Sequence, residues 1–436
     1  MKKTEWVQRT CRAAVMPVGM SLLFAGAGSA QMSVTLDEAI QRALERSPAM
    51  AQQEQAVGNA AASQRQAWGA LIPNLSASSG ASVRSQNQFD PTTQRLVQGS
   101  SDSYNAGLSA SLTVFDGGRM FSNLTAAKAD YRAAEARQDN QRNQVTLQTK
   151  QLFFAALRQV DLLEVALERV RQAEESLSMT RTRALVGTAT ASDTLRARLE
   201  LINAQQAVLN SETNTRAAQF ALGRQVGESR PVVAADPGDL SPTPLGFTDQ
   251  EILLMAEAES PSVLAAAEAG VAAAKDVTIA KGAYLPSLRV SSGYNWANQD
   301  RSLSGGTTSW SLSFNASYPL FNGFAREGSV DRAQFAQRVA RLQEDDARLA
   351  AREQADGALQ SVYTAERAID IAQQGLSVAE EDLRVVRERY RVGVATILEL
   401  VTSQISVVEA SVDVVVARYD YVLARAQLEA VLGRGL

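Results

Sequence analysis

Two glycine-centred segments of the chain carry an acidic side chain at the same distance from the glycine. The segments ALVGTATASDTL and YRVGVATILEL contain Gly187 and Gly393, and Asp193 and Glu399 lie six residues further on. Acidic side chains that repeat around a pore select cations. Near the start of a helix, the same acids would be favourable without any further role. Both interpretations depend on the elements that position these residues.

The first 30 residues have the pattern of a secretory signal peptide. Four basic residues lie within the first twelve, an apolar core follows over 15–27, and small residues end at Ala30. The apolar run is too short for a membrane anchor, so we predict a signal peptide over 1–30 that is cleaved after about Ala30. Cleavage removes Cys11, the only cysteine, and leaves 39 Lys and Arg against 46 Asp and Glu, a net charge of −7.

The composition of the mature chain excludes much enzyme chemistry. The full sequence has no histidine, and cleavage removes its only cysteine. Zinc sites built on thiolate or imidazole, and catalytic triads that use histidine, are therefore excluded. No phosphate-binding loop motif is present, and the acidic charge balance argues against a nucleic-acid surface. We predict a protein that is not an enzyme and uses no cofactor or metal.

An internal repeat organises the mature chain. The segments TLDE, SP and LIP within 35–73 recur as TDQE, SP and YLP within 248–286, each 213 positions later. FDGG at Phe115 recurs as FNGF at Phe321, 206 positions later, which is also the offset of the two glycine segments. The stretch between the two copies of the repeat contains four prolines and is typical of a linker. The predicted divisions are a first repeat over 31–223, a linker over 224–247 and a second repeat over 248–436.

Each repeat is predicted to contain a helix that ends at a proline, two strands, a long helix, the glycine turn and a returning helix. The long helices are almost free of glycine and proline and show the 3-4 apolar spacing of a helix. A helix of about 65 residues extends ~100 Å, so the two shorter helices could stack end to end beside it. This predicts an antiparallel hairpin closed at the glycine. The predicted long helices are 121–185 and 327–391, and the predicted strands are 75–88, 104–115, 288–299 and 310–320.

The predicted strands alternate between apolar side chains and uncharged polar ones. A soluble sandwich would need a second sheet over the apolar side, and the sequence offers none. Strands of about ten residues with an aromatic-rich face and a hydroxyl-rich face are typical of membrane-spanning strands. The aromatic residues predicted to face lipid are Tyr104, Tyr294, Trp296, Trp310, Phe314 and Tyr318.

The strand number predicts how the chain assembles. No stretch of eighteen apolar residues is evident after the signal, so we expect no membrane-spanning helix. Four strands cannot close a barrel, and an open sheet edge would leave backbone groups unpaired in lipid. Three copies would supply twelve strands and an open lumen, whereas eight strands would be filled by side chains. We therefore predict a mainly α protein with a small membrane β part, assembled as a homotrimer in a bacterial outer membrane.

The whole mature chain resembles the TolC-like outer membrane efflux channels. The resemblance rests on the repeated order of elements, the two helices that end at proline, and the VG segments at Val186 and Val392. It implies a trimeric twelve-stranded barrel that continues as a long periplasmic helical tube, with an equatorial region built partly from the linker. It also implies docking to a periplasmic adaptor protein of an inner-membrane efflux pump or secretion ATPase.

The resemblance assigns roles to the two glycine segments. In this family the hairpin tips meet the adaptor, which places docking at Val186, Gly187, Thr188, Val392, Gly393 and Val394. The resemblance places Asp193 and Glu399 two turns into the returning helices, near the narrowest part of the tube. The residues assigned to this periplasmic entrance are Ser192, Asp193, Tyr390, Glu399 and Thr402.

Two positions depart from the family pattern at the entrance. Thr402 occupies a position that can carry a second acid, so this helix would contribute only one acidic ring. Ala395 stands where an arginine can join a closing network with the tyrosine equivalent to Tyr390. The resemblance therefore implies an entrance that is less tightly closed at rest.

Two other classes of protein remain open at this point. A secreted coiled-coil or adhesin-type stalk would explain the helices but not the aromatic strands at matching places in both repeats. A periplasmic solute-binding protein would need a compact α/β pattern that the chain lacks. A barrel requires detergent for extraction, and the two alternatives do not. Within the channel class the exported substrate, whether drugs, metals or proteins, stays open.

Overall fold

The computed structural model describes residues 32–92, 94–299 and 305–435. The predicted signal peptide at 1–30 lies outside these residues. In chain order the elements are β1 (Met32–Val34), α1 (Leu36–Arg46), α2 (Pro48–Gly69), β2 (Asn74–Asp90), β3 (Arg95–Phe115), α3 (Arg119–Leu185), α4 (Ala191–Gln225), β4 (Val232–Ala234), α5 (Asp249–Glu259), α6 (Pro261–Gly282), β5 (Ser287–Asn298), β6 (Thr307–Ser317), α7 (Ala325–Arg391) and α8 (Ile397–Leu432).

Two very long helices dominate the molecule. Helices α3 and α7 have 67 residues each, which corresponds to ~100 Å of helix. Shorter helices cover α3 along its length. Helices α1 and α2 pack along its N-terminal part, and α4 packs along its C-terminal part. The mainly helical fold and the antiparallel hairpins are confirmed. The two halves also share their element order and nearly equal helix lengths, while an origin by duplication stays a prediction.

The helix before each pair of strands is broken, contrary to the prediction of one continuous element. α1 ends at Arg46 and α2 begins at Pro48, and α5 and α6 are divided in the same way at Ser260. Proline lacks an N–H and has a fixed φ, so it fits the first turn of a helix and disrupts the helix interior. The Ser47 hydroxyl accepts a hydrogen bond from the Met50 amide at 3.4 Å, which caps α2.

A four-stranded antiparallel sheet lies beyond one end of the long helices, in the order β2-β3-β5-β6. Tyr294 is opposite Leu108 on one side and Trp310 on the other, and Phe314 is opposite Val290. Directly opposed residues share a face, and residues two apart on a strand do so as well. The register therefore places five of the predicted aromatics on one face, namely Tyr104, Tyr294, Trp296, Trp310 and Phe314.

The opposite face of the sheet is polar and rich in hydroxyl groups. Ser76 is paired with Ser109, and their hydroxyl oxygens lie 2.7 Å apart. Asn105 and Asn295 lie on this face with Ser311, as the register shows. The sheet therefore has one aromatic and one hydroxyl-rich face, as the alternation in the sequence predicts.

The strand boundaries of both hairpins differ from the prediction. The first hairpin continues to Asp90 paired with Arg95, so most of the segment 89–103 is strand rather than loop. Backbone hydrogen bonds extend the β2–β3 pairing beyond the part of the sequence in which apolar and polar residues alternate. In the second hairpin β6 has the predicted length of 11 residues but lies three positions earlier, over Thr307–Ser317, which leaves Tyr318 outside the sheet. Pro319 follows and has no N–H to donate to a ladder, which explains this end.

Helix α8 corrects the expectation that no sufficiently apolar stretch follows the signal. Its 36 residues contain an 18-residue stretch with a mean hydropathy of 1.5, which is long and apolar enough to cross a membrane. However, α8 packs along α7 and α3, and 33% of that stretch is buried. Polar bonds also tie it to α3, since the Tyr419 hydroxyl donates to Asp161 at 2.8 Å and Lys150 pairs with Glu429 at 2.5 Å. We attribute the apolar composition of α8 to packing between helices.

A small parallel sheet and an apolar cluster lie near the middle of the long helices. Strand β1 pairs with β4 of the linker, with Met32 opposite Val232. The two strands pack on a cluster that contains Phe153 and Phe154 of α3 and Tyr419 of α8. We call this the equatorial core. It ties the start of the described chain and the linker to both helical hairpins.

Candidate functional site

Both helical hairpins turn at a glycine with a left-handed backbone. Gly187 has a φ of +76° and Gly393 a φ of +86°. After α3, the Gly187 amide donates to the Ala184 carbonyl at 3.1 Å and the Thr188 amide donates to the Arg183 carbonyl at 2.9 Å. This pair of bonds is the Schellman motif, in which glycine takes positive φ without strain. Both glycines therefore act as helix C-caps, because the bonds after α7 follow the same pattern.

The two acids of the glycine segments lie in the first turn of the returning helices, not two turns into them. Asp193 accepts hydrogen bonds from the Thr190 amide at 2.9 Å and the Thr190 hydroxyl at 2.8 Å. Glu399 accepts from the Thr396 amide at 3.3 Å and hydroxyl at 3.1 Å. Each threonine hydroxyl accepts from the amide of its acid in return, which completes a capping box. The bonds from Thr190 hold the pKa of Asp193 below its usual value.

Arginines lie close to both acids. A nitrogen of Arg389 is 3.8 Å from a carboxylate oxygen of Glu399. Arg196 and Arg183 also favour the charged form of Asp193 electrostatically. Within one chain, these cations reduce the negative potential that the two acids produce. Ser192 and Thr402, also assigned to the entrance, have exposed side chains.

The hairpin turns present apolar side chains to solvent. Around Gly187 the exposed apolar residues are Leu185 and Val186, and around Gly393 they are Val392 and Val394. Apart from the adjoining residues, no heavy atom lies within 4 Å of the position that a Cβ on Gly187 would occupy. We call these exposed residues and the two glycines the tip surface. Large contiguous apolar patches mark protein-binding sites, so the exposed apolar side chains make the tip surface a candidate for one.

Tyr390 lies between the two hairpins rather than on a free surface of the chain. Its side chain is only 3% exposed, and its hydroxyl is 2.9 Å from the Thr180 hydroxyl of α3. The Arg183 guanidinium lies 4.4 Å from the centre of the Tyr390 ring and donates to the carbonyls of Tyr390 and Thr188. Sequence reasoning missed Arg183. Ala395, which stands where the family can have an arginine, is buried nearby. The arginine that contacts Tyr390 here is Arg183 of the first hairpin.

A second polar contact joins the hairpins further from the tips. The Gln404 amide of α8 donates to the Ser176 hydroxyl at 2.8 Å and to the Gln172 carbonyl at 3.3 Å. Apolar residues from all four helices, including Leu177 and Leu400, pack around these bonds. The two hairpins therefore form one packed unit near the tips.

Over the part of the chain that the structure describes, no group of three or more acidic, Cys or His side chains could hold a metal ion.

A family model with the description outer membrane efflux protein matches both halves of the chain, over residues 39–228 and 252–434. The chain belongs to the outer membrane efflux protein family. Protein CyaE of Bordetella pertussis is 31% identical to this family member over 206 residues. That match covers 45% of the chain and 43% of CyaE, so it spans less than half the length of the curated relative.

Solved structures of outer membrane channels have the same fold as this efflux family member. The CmeC outer membrane channel of Campylobacter jejuni aligns with a TM-score of 0.79 at 18% identity, over 91% of this chain and 85% of CmeC. The open state of the MtrE outer membrane channel of Neisseria gonorrhoeae aligns with a TM-score of 0.77 at 22% identity, over 92% of this chain and 89% of MtrE. These alignments show a shared fold.

Proposed function

We propose that this outer membrane efflux protein is a homotrimeric export channel. Its sheets would form a twelve-stranded barrel in the outer membrane, and its helices would form a tube in the periplasm. The observation that carries the proposal is the sheet, which has one aromatic and one hydroxyl-rich face and lies at one end of ~100 Å helices. The membership of the family supports the same function.

The sheet supports assembly because, among the residues that the structure describes, each of its two outer strands has a partner strand on one side only. In the order β2-β3-β5-β6, the strands β2 and β6 are the edges. Unpaired backbone groups are not tolerated in contact with lipid, so each edge needs a strand from another copy. Two copies would give eight strands and a filled interior, whereas three would give a lumen.

The helices also leave apolar faces that one chain does not cover. On α7 the exposed residues Ile371, Val378 and Val385 recur every seven positions. On α4 the exposed residues Leu199 and Ile202 lie on one helical face. Side chains with seven-residue spacing form a seam that packs against another helix. Neighbouring copies would cover both faces and close the helical tube.

Assembly can be tested by measuring the mass of the detergent-extracted protein. We expect a trimer, and we expect Val378→Glu to yield smaller species because it would bury a charge between neighbouring helices. Ser377→Glu is the matched control, because it adds the same charge to an exposed position on another face of α7. A stable monomer of the unmodified protein that retains its full strand content would contradict the proposal.

The tips are proposed to dock with a periplasmic adaptor protein that connects the channel to an inner-membrane pump or secretion ATPase. The exposed apolar side chains and bare backbone of the tip surface support this role, because another backbone could approach closely there. The acids at Asp193 and Glu399 would line the entrance of the assembled tube. The transported substrate stays open.

We expect Gly187→Trp to abolish cross-linking to the adaptor in cells without affecting membrane insertion. The bulky ring would occupy the open space beside Gly187. Any residue other than glycine is strained at a φ of +76°, so Gly187→Ala is the control that introduces strain without bulk. If the tryptophan variant cross-links and exports as well as the alanine variant, the turn has only a structural role. The same pair of variants at Gly393 tests the second hairpin.

A further inference from the structure

The hydroxyl-rich face of the four-stranded sheet carries two arginines that have no acid opposite them. Arg84 of β2 is opposite Ser101 of β3. Arg289 of β5 is opposite Thr113 of β3 on one side and Asn315 of β6 on the other. Both arginine side chains are exposed. A face that otherwise presents hydroxyl and amide groups therefore carries isolated positive charge at two places.

The other charged residues of these strands do not neutralise the two arginines. Asp102 is two positions from Tyr104 on β3, so it lies on the opposite, aromatic face. Asp90 is opposite Arg95 at the end of the first hairpin, where the two charges have opposite signs. Strands β2, β3, β5 and β6 contain no further Asp, Glu, Lys or Arg. Within the strands, the hydroxyl-rich face is therefore electropositive.

The two arginines lie near opposite ends of the sheet. Arg289 is close to the start of β5, the end that follows helix α6. Arg84 lies beyond the residues that pair with β5, because the pairing of β3 with β5 stops at Tyr104 and Arg84 is opposite Ser101. The β3 partners of the two arginines, Ser101 and Thr113, are ~40 Å apart along the strand. In a barrel whose strands tilt by ~40°, this separation is roughly 30 Å along the axis.

The proposed barrel would be narrow enough for three copies of each arginine to act together. Twelve strands at a spacing of ~4.8 Å and a tilt of ~40° enclose a backbone radius of ~12 Å. A side chain that extends into the lumen brings its guanidinium closer to the axis than that. Electrostatic potentials decay over ~10 Å at 0.1 M salt, so the fields of three equivalent arginines would overlap at the centre of the lumen.

The acids assigned to the entrance are too far away to neutralise these arginines. Asp193 and Glu399 lie in the first turns of α4 and α8, beyond the far ends of α3 and α7. The length of those helices puts the acids ~100 Å from the sheet, which is about ten times the distance over which potentials decay at 0.1 M salt. The barrel and the entrance would therefore act as separate electrostatic segments.

We propose that Arg84 and Arg289 of three copies form two rings of positive charge in the barrel lumen, and that these rings favour small organic anions over cations as cargo. Arginine stays charged at every physiological pH, so the rings are permanent. A charged side chain that faces lipid costs free energy, whereas one that faces a water-filled lumen tunes selectivity. The inference rests on the proposed function, because it requires the hydroxyl-rich face to line a lumen.

Single cysteines beside the arginines can report the local potential, because the only native cysteine is Cys11 in the predicted signal peptide. Ser291→Cys lies two positions from Arg289 and Ser82→Cys lies two positions from Arg84, on the same face of the sheet. The full mature protein is reconstituted into lipid vesicles and treated with two water-soluble methanethiosulfonate reagents, one with a sulfonate group and one with a quaternary ammonium group. Protein mass follows each reaction. The ratio of the two rates is divided by the ratio for 2-mercaptoethanol in the same buffer.

We expect both cysteines to prefer the sulfonate reagent several-fold over the free thiol at low salt, because the rings attract anions and repel cations. Arg289→Gln should remove most of this preference at Ser291→Cys, and Arg84→Gln should do so at Ser82→Cys. Arg289→Lys and Arg84→Lys are the matched controls, since they keep the charge and should keep the preference. High salt should weaken the preference in all of these proteins, because salt screens charges in a water-filled lumen.

Two other results would overturn the inference, and they differ in what they say about the channel. If both reagents react with the ratio of the free thiol, or if the glutamine variants keep the preference, the rings do not act on cargo and the channel itself stands. If neither reagent reaches the two cysteines, the hydroxyl-rich face does not line a lumen. The proposed barrel then fails together with the rings.

Discussion

Phe153→Ala is expected to lower the free energy of unfolding by about 3–5 kcal/mol. Phe153 is completely buried in the equatorial core. Its ring meets Phe154 edge to face with centres 5.6 Å apart, and Phe154 in turn contacts Tyr419 of α8 with ring centres 6.3 Å apart. Removal of the ring leaves a cavity between α3, the linker strand and the second hairpin. The well-packed elements around the cavity have little freedom to fill it.

Urea denaturation of the detergent-solubilised protein would measure this effect, at one fixed protein concentration because assembly also contributes to stability. Phe153→Leu is the matched control, since it retains most of the volume and should cost about 1.5 kcal/mol or less. We expect the alanine variant to unfold at a clearly lower urea concentration than the leucine variant. Equal midpoints for the two variants would show that the equatorial core does not depend on a well-fitted ring.

The double variant Asp193→Asn/Glu399→Gln is expected to remove most of the cation preference of the assembled channel. In a trimer it would eliminate six carboxylates at the tube entrance. It would also leave Arg389 without the acid that lies 3.8 Å away, which shifts the potential further in the positive direction. Glutamine at the third helical position still supports a capping box, so Glu399→Gln changes the charge and preserves the fold of the turn.

Reversal potentials across a salt gradient in planar bilayers would measure the preference. The difference between the parent protein and the double variant should shrink as ionic strength rises, because salt screens exposed charges. Glu212→Gln is the control: it lies on α4 with Asp193, 19 residues further on, which is roughly 28 Å of helix. If the double variant keeps the cation preference of the parent, the two acids act only as helix caps.

The sequence predicts the long helices and their turns because those features depend on local chemistry. The 67 residues of α3 contain no glycine or proline, and the first break after them is at Gly187. The alternation of aromatic and hydroxyl residues likewise predicts which face of the sheet Trp310 and Phe314 share. These patterns can be read within a single turn or strand, without knowledge of distant partners.

A local signal in the sequence marks the starts of the returning helices. The pattern of threonine followed three residues later by an acid identifies the start of α5 at Thr248, where the capping box forms. The same pattern at Thr190 and Thr396 would have placed Asp193 and Glu399 in the first turn of their helices.

Other features could not be predicted from local patterns. Arg183 and Tyr390 are 207 positions apart, and their contact depends on how two hairpins pack. Strands β1 and β4 have three residues each, too few for an alternating pattern, and they are stabilised by the equatorial core beneath them. The positive φ of Phe324, +64°, could not be predicted either, because the sequence FNGF has a phenylalanine where the first repeat has Gly118.

The equal lengths of α3 and α7 restrict how the length of the helical hairpins can change among related proteins. One inserted residue lengthens a helix by ~1.5 Å and rotates everything beyond it by about 100°. An insertion in α3 between the equatorial core and Arg183 would therefore turn Arg183 away from Tyr390. An insertion of seven residues makes nearly two full turns, so the side chains beyond it return almost to their original direction. Helices α4, α7 and α8 would need the same insertion for the two hairpin turns to remain side by side. Related proteins with longer or shorter hairpins should therefore differ in hairpin length by steps of about 10 Å, with the change made in all four helices together.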